Sequence, residues 1–209
     1  MQEIPKLEIL FKDQWIIVVD KPAGFPVHKT VDPLRPHVQG ILEHQLNIKT
    51  VLFHRLDNDT TGVLIFGIDP SINKHMTDLF RDRKIKKTYT AVVSGRWPNT
   101  LKVETFIKKI TGGKYKNFQS GNKKEWAQTH FKTLDFDGEN SLVECKPTTG
   151  RTHQIRLHCQ HVGNPIVGDK IYNTTSNGKR MMLNASKVEF PHPSSRKIIK
   201  ITSKVNLYK

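Results

Sequence analysis

Five consecutive apolar residues, Trp15 to Val19, four of them β-branched, run straight into Asp20-Lys21-Pro22-Ala23-Gly24. A run this short, rich in branched side chains and cut off by proline and glycine, reads as a strand. Leu7 to Phe11 is a second such run, and Lys12-Asp13-Gln14 lies between them as a turn. The chain therefore opens on a hairpin, and a sheet begins almost at its first residue. The same pattern recurs at Val51 to Phe53, Val63 to Ile68, Tyr89 to Val93, Leu101 to Ile107, Trp126 to Leu134, Leu142 to Lys146 and Lys197 to Thr202. Helical spacing is scarcer. Val38, Ile41, Leu42 and Leu46 share one face of a helix over about residues 37 to 47. Asp69-Pro70 is an N-cap with proline at the first helical position, and Ile72, Met76, Leu79 and Phe80 continue that stripe to about Arg83. Ile155, Cys159 and Val162 mark a third helix ending at Gly163. Strands outnumber helices and arrive in hairpin order, so the expected class is α+β with a mixed, largely antiparallel sheet.

With 209 residues, 36% hydrophobic and 25% charged, the chain can bury a core and is not of disordered composition. Its charge is more selective. Lys and Arg number 34 against 19 Asp and Glu, a formal net charge of +15. Such a surplus attracts polyanions, of which nucleic acid is the commonest in a cell. Only Cys145 and Cys159 are present, too few for a disulfide framework and without a Cys-x-x-Cys pair for zinc. The first residues, MQEIPKLEIL, form neither a signal nor a transit peptide, and no run reaches transmembrane length. A cytoplasmic protein without a membrane partner is expected, and nothing in the sequence points to an obligate dimer surface. The segment Lys108 to Lys124, KKITGGKYKNFQSGNKK, carries six lysines, no acid, and the rings of Tyr115 and Phe118. It reads as a flexible segment able to lie along a nucleic-acid backbone. Arg81 to Lys87, RDRKIKK, holds five basic residues in seven, more than a helix C-terminus needs, which points to phosphate contact.

Candidate chemistry concentrates in two stretches. His54 to Gly62, HRLDNDTTG, joins two apolar strands, so its side chains are held at a sheet end, where sites are commonly built. Asp57 there can serve as nucleophile or general base. The DNDTTG stretch imitates the start of a calcium loop, but Ile68 stands where the twelfth ligand should be. The order of HRLD is wrong for a kinase catalytic loop, and there is no G-x-G-x-x-G and no P-loop. The second stretch, TGRTHQIRLH from Thr149 to His158, clusters polar residues at a helix start, where free backbone N–H groups and arginines favour anions. His153, His158 and His161 lack the spacing and the glutamate of a metal-protease helix, so no metal is expected.

Together these stretches resemble the RluA-type pseudouridine synthases. DKPAGFPVH (Asp20 to His28) is similar to the family's opening strand and turn, HRLDNDTTG to its aspartate motif, and KKTYTAVVSG (Lys86 to Gly95) to its tyrosine-bearing strand. TGRTHQIRLH with GNPIVGDKIY is similar to its C-terminal half. The resemblance covers nearly the whole chain. It implies the pseudouridine synthase fold, a sheet in two linked halves with a central basic cleft, and residues 1–209 as a single catalytic domain. It also implies an isomerase that acts on a uridine in tRNA or rRNA without cofactor or metal.

On the same resemblance Asp57 is the essential aspartate, attacking the sugar or the base or removing a sugar proton. Tyr89 lies against the uracil, and Arg151 pairs with the aspartate. Arg55 serves as wedge or phosphate anchor during base flipping. His54, Lys87, Arg156, Lys114, Lys116, Lys123 and Lys124 complete the expected RNA contacts. Two positions depart from the family's pattern: Thr61 where the usual motif has serine, and Asn184 in Leu183-Asn184-Ala185 where histidine is frequent. The chain also starts almost at the catalytic sheet, so the S4-like RNA-binding domain of many ribosomal members is not expected, and RNA choice falls to the domain's own basic surfaces. A non-catalytic RNA-binding or chaperone protein on the same fold would keep the charge without needing Asp57.

Overall fold

The opening hairpin forms from β1 (Glu8–Lys12) and β2 (Ile16–Lys21), paired antiparallel. Asp13 closes the turn, its Oδ1 accepting the N–H groups of Trp15 at 2.8 Å and Ile16 at 2.9 Å. The computed structural model describes residues 5–175 and 180–207. Along the chain follow α1 (Val38–Leu46), β3 (Val51–Leu52), β4 (Thr61–Gly67), α2 (Asn73–Arg81), β5 (Lys86–Ser94), β6 (Thr100–Lys109) and β7 (Tyr115–Phe118). Then come β8 (Trp126–Phe136), β9 (Asn140–Pro147), α3 (Gln154–Val162), β10 (Leu183–Pro191) and β11 (Ile198–Thr202). The fold is α+β, and its strand pairing is largely antiparallel. The chain divides into two units, Met1–Lys87 with Asn184–Val205, and Thr88–Leu183 with Asn206–Lys209.

In the first unit every residue of β2 and of β4 is buried. Strands covered on both faces need continuous apolar runs rather than alternation, which explains IIVV and VLIF. β2 pairs antiparallel with β4, Val19 opposite Leu64. β4 pairs parallel with β10, Gly62 opposite Ala185, and β11 pairs antiparallel with β10. Ile16, Val18, Val63 and Ile65 pack with Ile72, Met76 and Leu79 of the α2 region and with Val188 and Phe190 of β10. Asp69 caps a short 3-10 turn over Pro70–Ile72, accepting Ser71 N–H at 2.7 Å, and the α-helix proper starts at Asn73. His192 Nε2 donates to Asp13 Oδ2 at 2.6 Å while its Nδ1 accepts Ser195 N–H, so His192 fastens the turn after β10 to the first hairpin.

The second unit is an antiparallel sheet in the order β5-β9-β8-β6-β7. Burial alternates along β8 and β9, the signature of one face on the core and one in water. Ala91, Val93, Phe131, Val143 and Cys145 form the covered face, and Ile155 and Cys159 of α3 pack on it.

Two sequence expectations change here. β10 was not foreseen, because its first half, LNASK, carries polar residues that satisfy partners inside the unit rather than water. The lysine-rich segment is not one continuous loop: Lys108 and Lys109 belong to β6, and Tyr115–Phe118 forms the edge strand β7.

Candidate active site

HRLDNDTTG leaves the short β3 and enters β4, and each of its residues has a separate task. The His54 imidazole stacks on Phe80 with centroids 4.8 Å apart, and its Nε2 accepts Ile65 N–H at 3.0 Å. Burial, assisted by the Lys87 charge, pushes its pKa down to about 3, so the ring is neutral and free to accept. The RNA contact expected of His54 is replaced by a structural role, pinning the start of the loop to β4 and α2. Arg55 is exposed, Leu56 is buried and anchors the loop, and Asp57 is half-buried. Thr60 N–H donates to the Asp57 carbonyl at 3.2 Å, closing a turn with the Asp57 side chain at its start.

The turn is fixed from below by a residue that sequence reasoning did not single out. Lys21, the last residue of β2, is fully buried. Its Nζ donates to the carbonyls of Asn58 at 2.7 Å, Pro22 at 2.9 Å and Thr60 at 3.0 Å. Three acceptors match the three protons of an ammonium group. Burial pulls the Lys21 pKa down to about 7, and the charges of Asp59 and then Asp57 oppose that pull. Lys21 thus bridges the Pro22 turn to both sides of the aspartate loop. Asn58 is the second unforeseen hub. Its carbonyl also accepts Gly24 N–H at 3.0 Å, its Oδ1 accepts from Arg35 at 3.0 Å, and its Nδ2 donates to Asp59 Oδ1 at 3.0 Å. Asp59 is thereby drawn into the loop's own hydrogen bonding. No local signal marks Lys21: it follows Asp20 at the end of an apolar run, where a lysine that reaches solvent is the ordinary reading.

In the second unit Tyr89 lies on β5, half-buried against the core and paired with Cys145 of β9. Arg151 precedes α3. Its Nε donates to the Trp126 carbonyl at 3.1 Å and its N–H to Gln154 Oε1 at 3.0 Å. Gln154 is buried and organises this turn, accepting from Thr149 Oγ1 at 2.7 Å and donating to the Gln128 carbonyl and Thr129 Oγ1 at 2.9 Å each. His153 takes a positive φ of 57° at the helix start, and its Nδ1 lies 2.9 Å from the Tyr172 hydroxyl. His158 sits between the hydroxyls of Thr105 and Thr129 at 3.0 Å each, and burial, with the His161 charge, lowers its pKa to about 4. Among the described residues no three His, Cys, Asp or Glu side chains are grouped as a metal would require.

Residues 15–161, more than half of the chain, match the family described as RNA pseudouridylate synthase. The chain belongs to that family. It is 35% identical over 207 residues to the "Ribosomal large subunit pseudouridine synthase C" of Buchnera aphidicola, covering 93% of this chain and 66% of that one. It is 35% identical over 173 residues to the mitochondrial "tRNA pseudouridine(32) synthase" of Saccharomyces cerevisiae, covering 80% of this chain and 37% of the relative. The chain thus spans between about a third and two thirds of these relatives' lengths. A solved structure of "Human RNA Pseudouridylate Synthase Domain Containing 1" superposes with a TM-score of 0.82 at 23% identity, covering 98% of this chain and 86% of that one. The pseudouridine synthase fold read from the four motifs is therefore present.

The two departures from the usual pseudouridine synthase motifs touch each other. Thr61 Oγ1 donates to Asn184 Oδ1 at 2.9 Å, both residues buried. Asn184 Nδ2 in turn reaches Ser203 Oγ and the Val205 carbonyl, 3.3 Å each, and Ser203 Oγ donates to Asp20 at 2.8 Å. The Asn184 side-chain carbonyl is the acceptor that the Thr61 hydroxyl meets. Gly62 follows at φ +109°, where an added Cβ would stand 2.4 Å from the Ala185 carbonyl oxygen. The motif's glycine lets β4 approach β10.

The basic residues of this chain separate by burial. Lys114, Lys116, Lys123 and Lys124 are exposed and offer charge to solvent. Lys87 is half-buried, and burial together with the Arg83 charge lowers its pKa. Arg156 is a correction. Its guanidinium is buried and holds Asp169 through Nε at 2.7 Å and a second nitrogen at 2.8 Å, beneath the Tyr172 ring. It supports the fold instead of meeting RNA. Burial raises the Asp169 carboxyl, but the Arg156 bonds and charge and the N–H groups of Ile171 and Tyr172 outweigh it and hold it below the ordinary value. Stability from a depressed carboxylate is present above its unfolded pKa and is lost as pH falls through the folded one. Asp169→Asn is accordingly expected to cost about 3–5 kcal/mol in urea unfolding at neutral pH, because it strands a buried cation. The loss should shrink as both proteins are taken to acid.

Proposed function

We propose that this chain isomerises a uridine in structured tRNA or rRNA to pseudouridine, with Asp57 as the essential carboxylate. The observation that carries the reading is the loop's construction: a carboxylate in a turn between two rigid strands, locked through its neighbours' carbonyls by a buried lysine. An aspartate meant only for a surface ion pair needs no such foundation. The family membership and the names of relatives that act on ribosomal and transfer RNA support the substrate class.

The reaction breaks the bond from ribose C1′ to uracil N1, turns the base and joins C1′ to C5. The C5 proton leaves and N1 regains one, so neither redox change nor hydrolysis is involved. Asp57 attacks the sugar or the base or takes a sugar proton; each route needs one ionised carboxylate at the base-flipped nucleotide. Tyr89 is assigned to the uracil face and Arg151 to holding the aspartate ionised. Exposed Arg55 fills the stack or anchors a phosphate. No cofactor or metal enters this scheme. Deleting the gene and mapping pseudouridines in total RNA tests it. Loss of a defined site, restored by the wild-type gene and not by one encoding Asp57→Asn, is expected. Restoration by the mutant would favour a non-catalytic RNA-binding protein.

The exposed lysines supply the backbone contacts. Neutralising Lys114, Lys116, Lys123 and Lys124 together is expected to reduce the slope of log affinity against log salt by up to about 3. Filter binding across a salt series measures it, and an unchanged slope would remove these lysines from the interface.

A further inference from the structure

Between Val27 and α1 the first unit displays two large apolar side chains with nothing over them. Val31 is 103% exposed and Leu34 89%. A single exposed leucine is ordinary; here the backbone is built to hold both outward. Asp32-Pro33-Leu34-Arg35 is a β-turn, with Arg35 N–H donating to the Asp32 carbonyl at 3.4 Å and Pro33 at the position that favours proline. Leu34 N–H donates to Asp32 Oδ1 at 3.0 Å, and Thr30 Oγ1 donates to the Asp32 carbonyl at 3.2 Å. Pro33 and Pro36 fix the backbone on either side of Leu34. The tip is thus ordered before anything binds, which lowers the entropy cost of using it.

The tip is also tied to the aspartate loop. Arg35 donates to Asn58 Oδ1 at 3.0 Å, and Asn58 directly follows Asp57 and carries the Lys21 and Gly24 bonds on its carbonyl. Exposed His28, Lys29 and Arg35 flank the apolar pair, a charge pattern suited to phosphates on either side of an apolar contact. Base faces are the apolar part of a nucleic acid, and apolar side chains between base steps stabilise an opened stack.

We propose that the Val31–Leu34 tip is an apolar wedge that enters the RNA base stack beside the target uridine and holds it open while the uridine turns toward Asp57. This rests on the pseudouridine synthase reading above. It adds to Arg55 a second element, set on its own turn, that acts on the neighbouring base step and makes activity depend on how easily that step opens.

The test uses in vitro transcripts of the source organism's ribosomal and transfer RNAs, tritiated at uridine C5, with V31S/L34S and V31M/L34M double variants. Both variants should melt like wild type, since neither side chain is packed. V31S/L34S is expected to lose about tenfold in kcat/KM for tritium release, because an unfilled base step costs on the order of a kcal/mol or more. V31M/L34M is expected to stay within about twofold of wild type, because methionine keeps the apolar contact. The salt slope of binding should be unchanged in both, since no charge is removed. Full activity of V31S/L34S, or equal loss in both variants, overturns the wedge. A wild-type protein that releases no tritium from any transcript removes the enzyme reading and the wedge with it, whereas active wild type with equally active V31S/L34S removes the wedge alone.

Discussion

Replacing Asp57 with asparagine is expected to lower pseudouridine formation by at least about 10³-fold while leaving RNA affinity within a few fold of wild type. Asparagine has nearly the same shape and retains an acceptor oxygen, so the turn held by Lys21, Asn58 and Thr60 should persist. What disappears is the negative charge, and with it the nucleophile or base. Binding should not suffer, because a chain of net charge +15 meets a polyanion and the substitution removes an anion. Single-turnover assays with protein in excess separate the two effects. A wild-type rate in the variant would move the chemistry to another residue, and a binding loss equal to the rate loss would make Asp57 a structural element.

The second large effect is expected at Lys21. Lys21→Met leaves the carbonyls of Pro22, Asn58 and Thr60 without their donor, at about 1–3 kcal/mol for each that stays buried. The variant should therefore unfold at markedly lower denaturant. Below its melting point it should lose kcat more than it raises KM, since the aspartate loop is no longer held. The difference from wild type also depends on pH. An unfolded Lys21 keeps its proton to near its model value of 10.5, whereas the folded one releases it near 7. Between those values the unfolded chain binds more protons, so the unfolding free energy contributed by Lys21 rises with pH, by at most about 1.4 kcal/mol per unit. Below pH 7 both states are protonated and the slope vanishes. Urea midpoints from pH 6 to 10 should diverge between wild type and Lys21→Met in that sense. Parallel curves would mean that the lysine is not forced to give up its proton.

Much of the strand order was legible because the hairpins of this chain use local turn chemistry: Asp13 after β1 and Asp137-Gly138 after β8 mark turns by side chains that bond their own backbone. β10 was not legible, because its parallel pairing with β4 joins residues over a hundred positions apart and its polar Asn184 is explained only by Thr61. In the site, Asp57 stood out as a carboxylate between apolar runs. Lys21 did not, since nothing local distinguishes a snorkelling lysine from one whose protons end on the neighbouring Pro22 carbonyl and on two carbonyls brought by another loop. The opposite error occurred at His54 and Arg156. Both look like RNA contacts in a basic sequence, and both are occupied by distant partners, Ile65 N–H with the Phe80 ring and the Asp169 carboxylate. Charge counting points to a partner class; it does not tell which cations are already paired inside.

The most direct measurement incubates wild-type protein with C5-tritiated RNA and follows released tritium alongside the nucleosides recovered after complete digestion. Tritium should appear in step with a new nucleoside of uridine's mass whose base is joined through carbon and resists acid, with no free uracil. Release of uracil would make the chain a glycosidase, and intact C5 tritium across ribosomal and transfer RNA would contradict isomerisation at Asp57 outright.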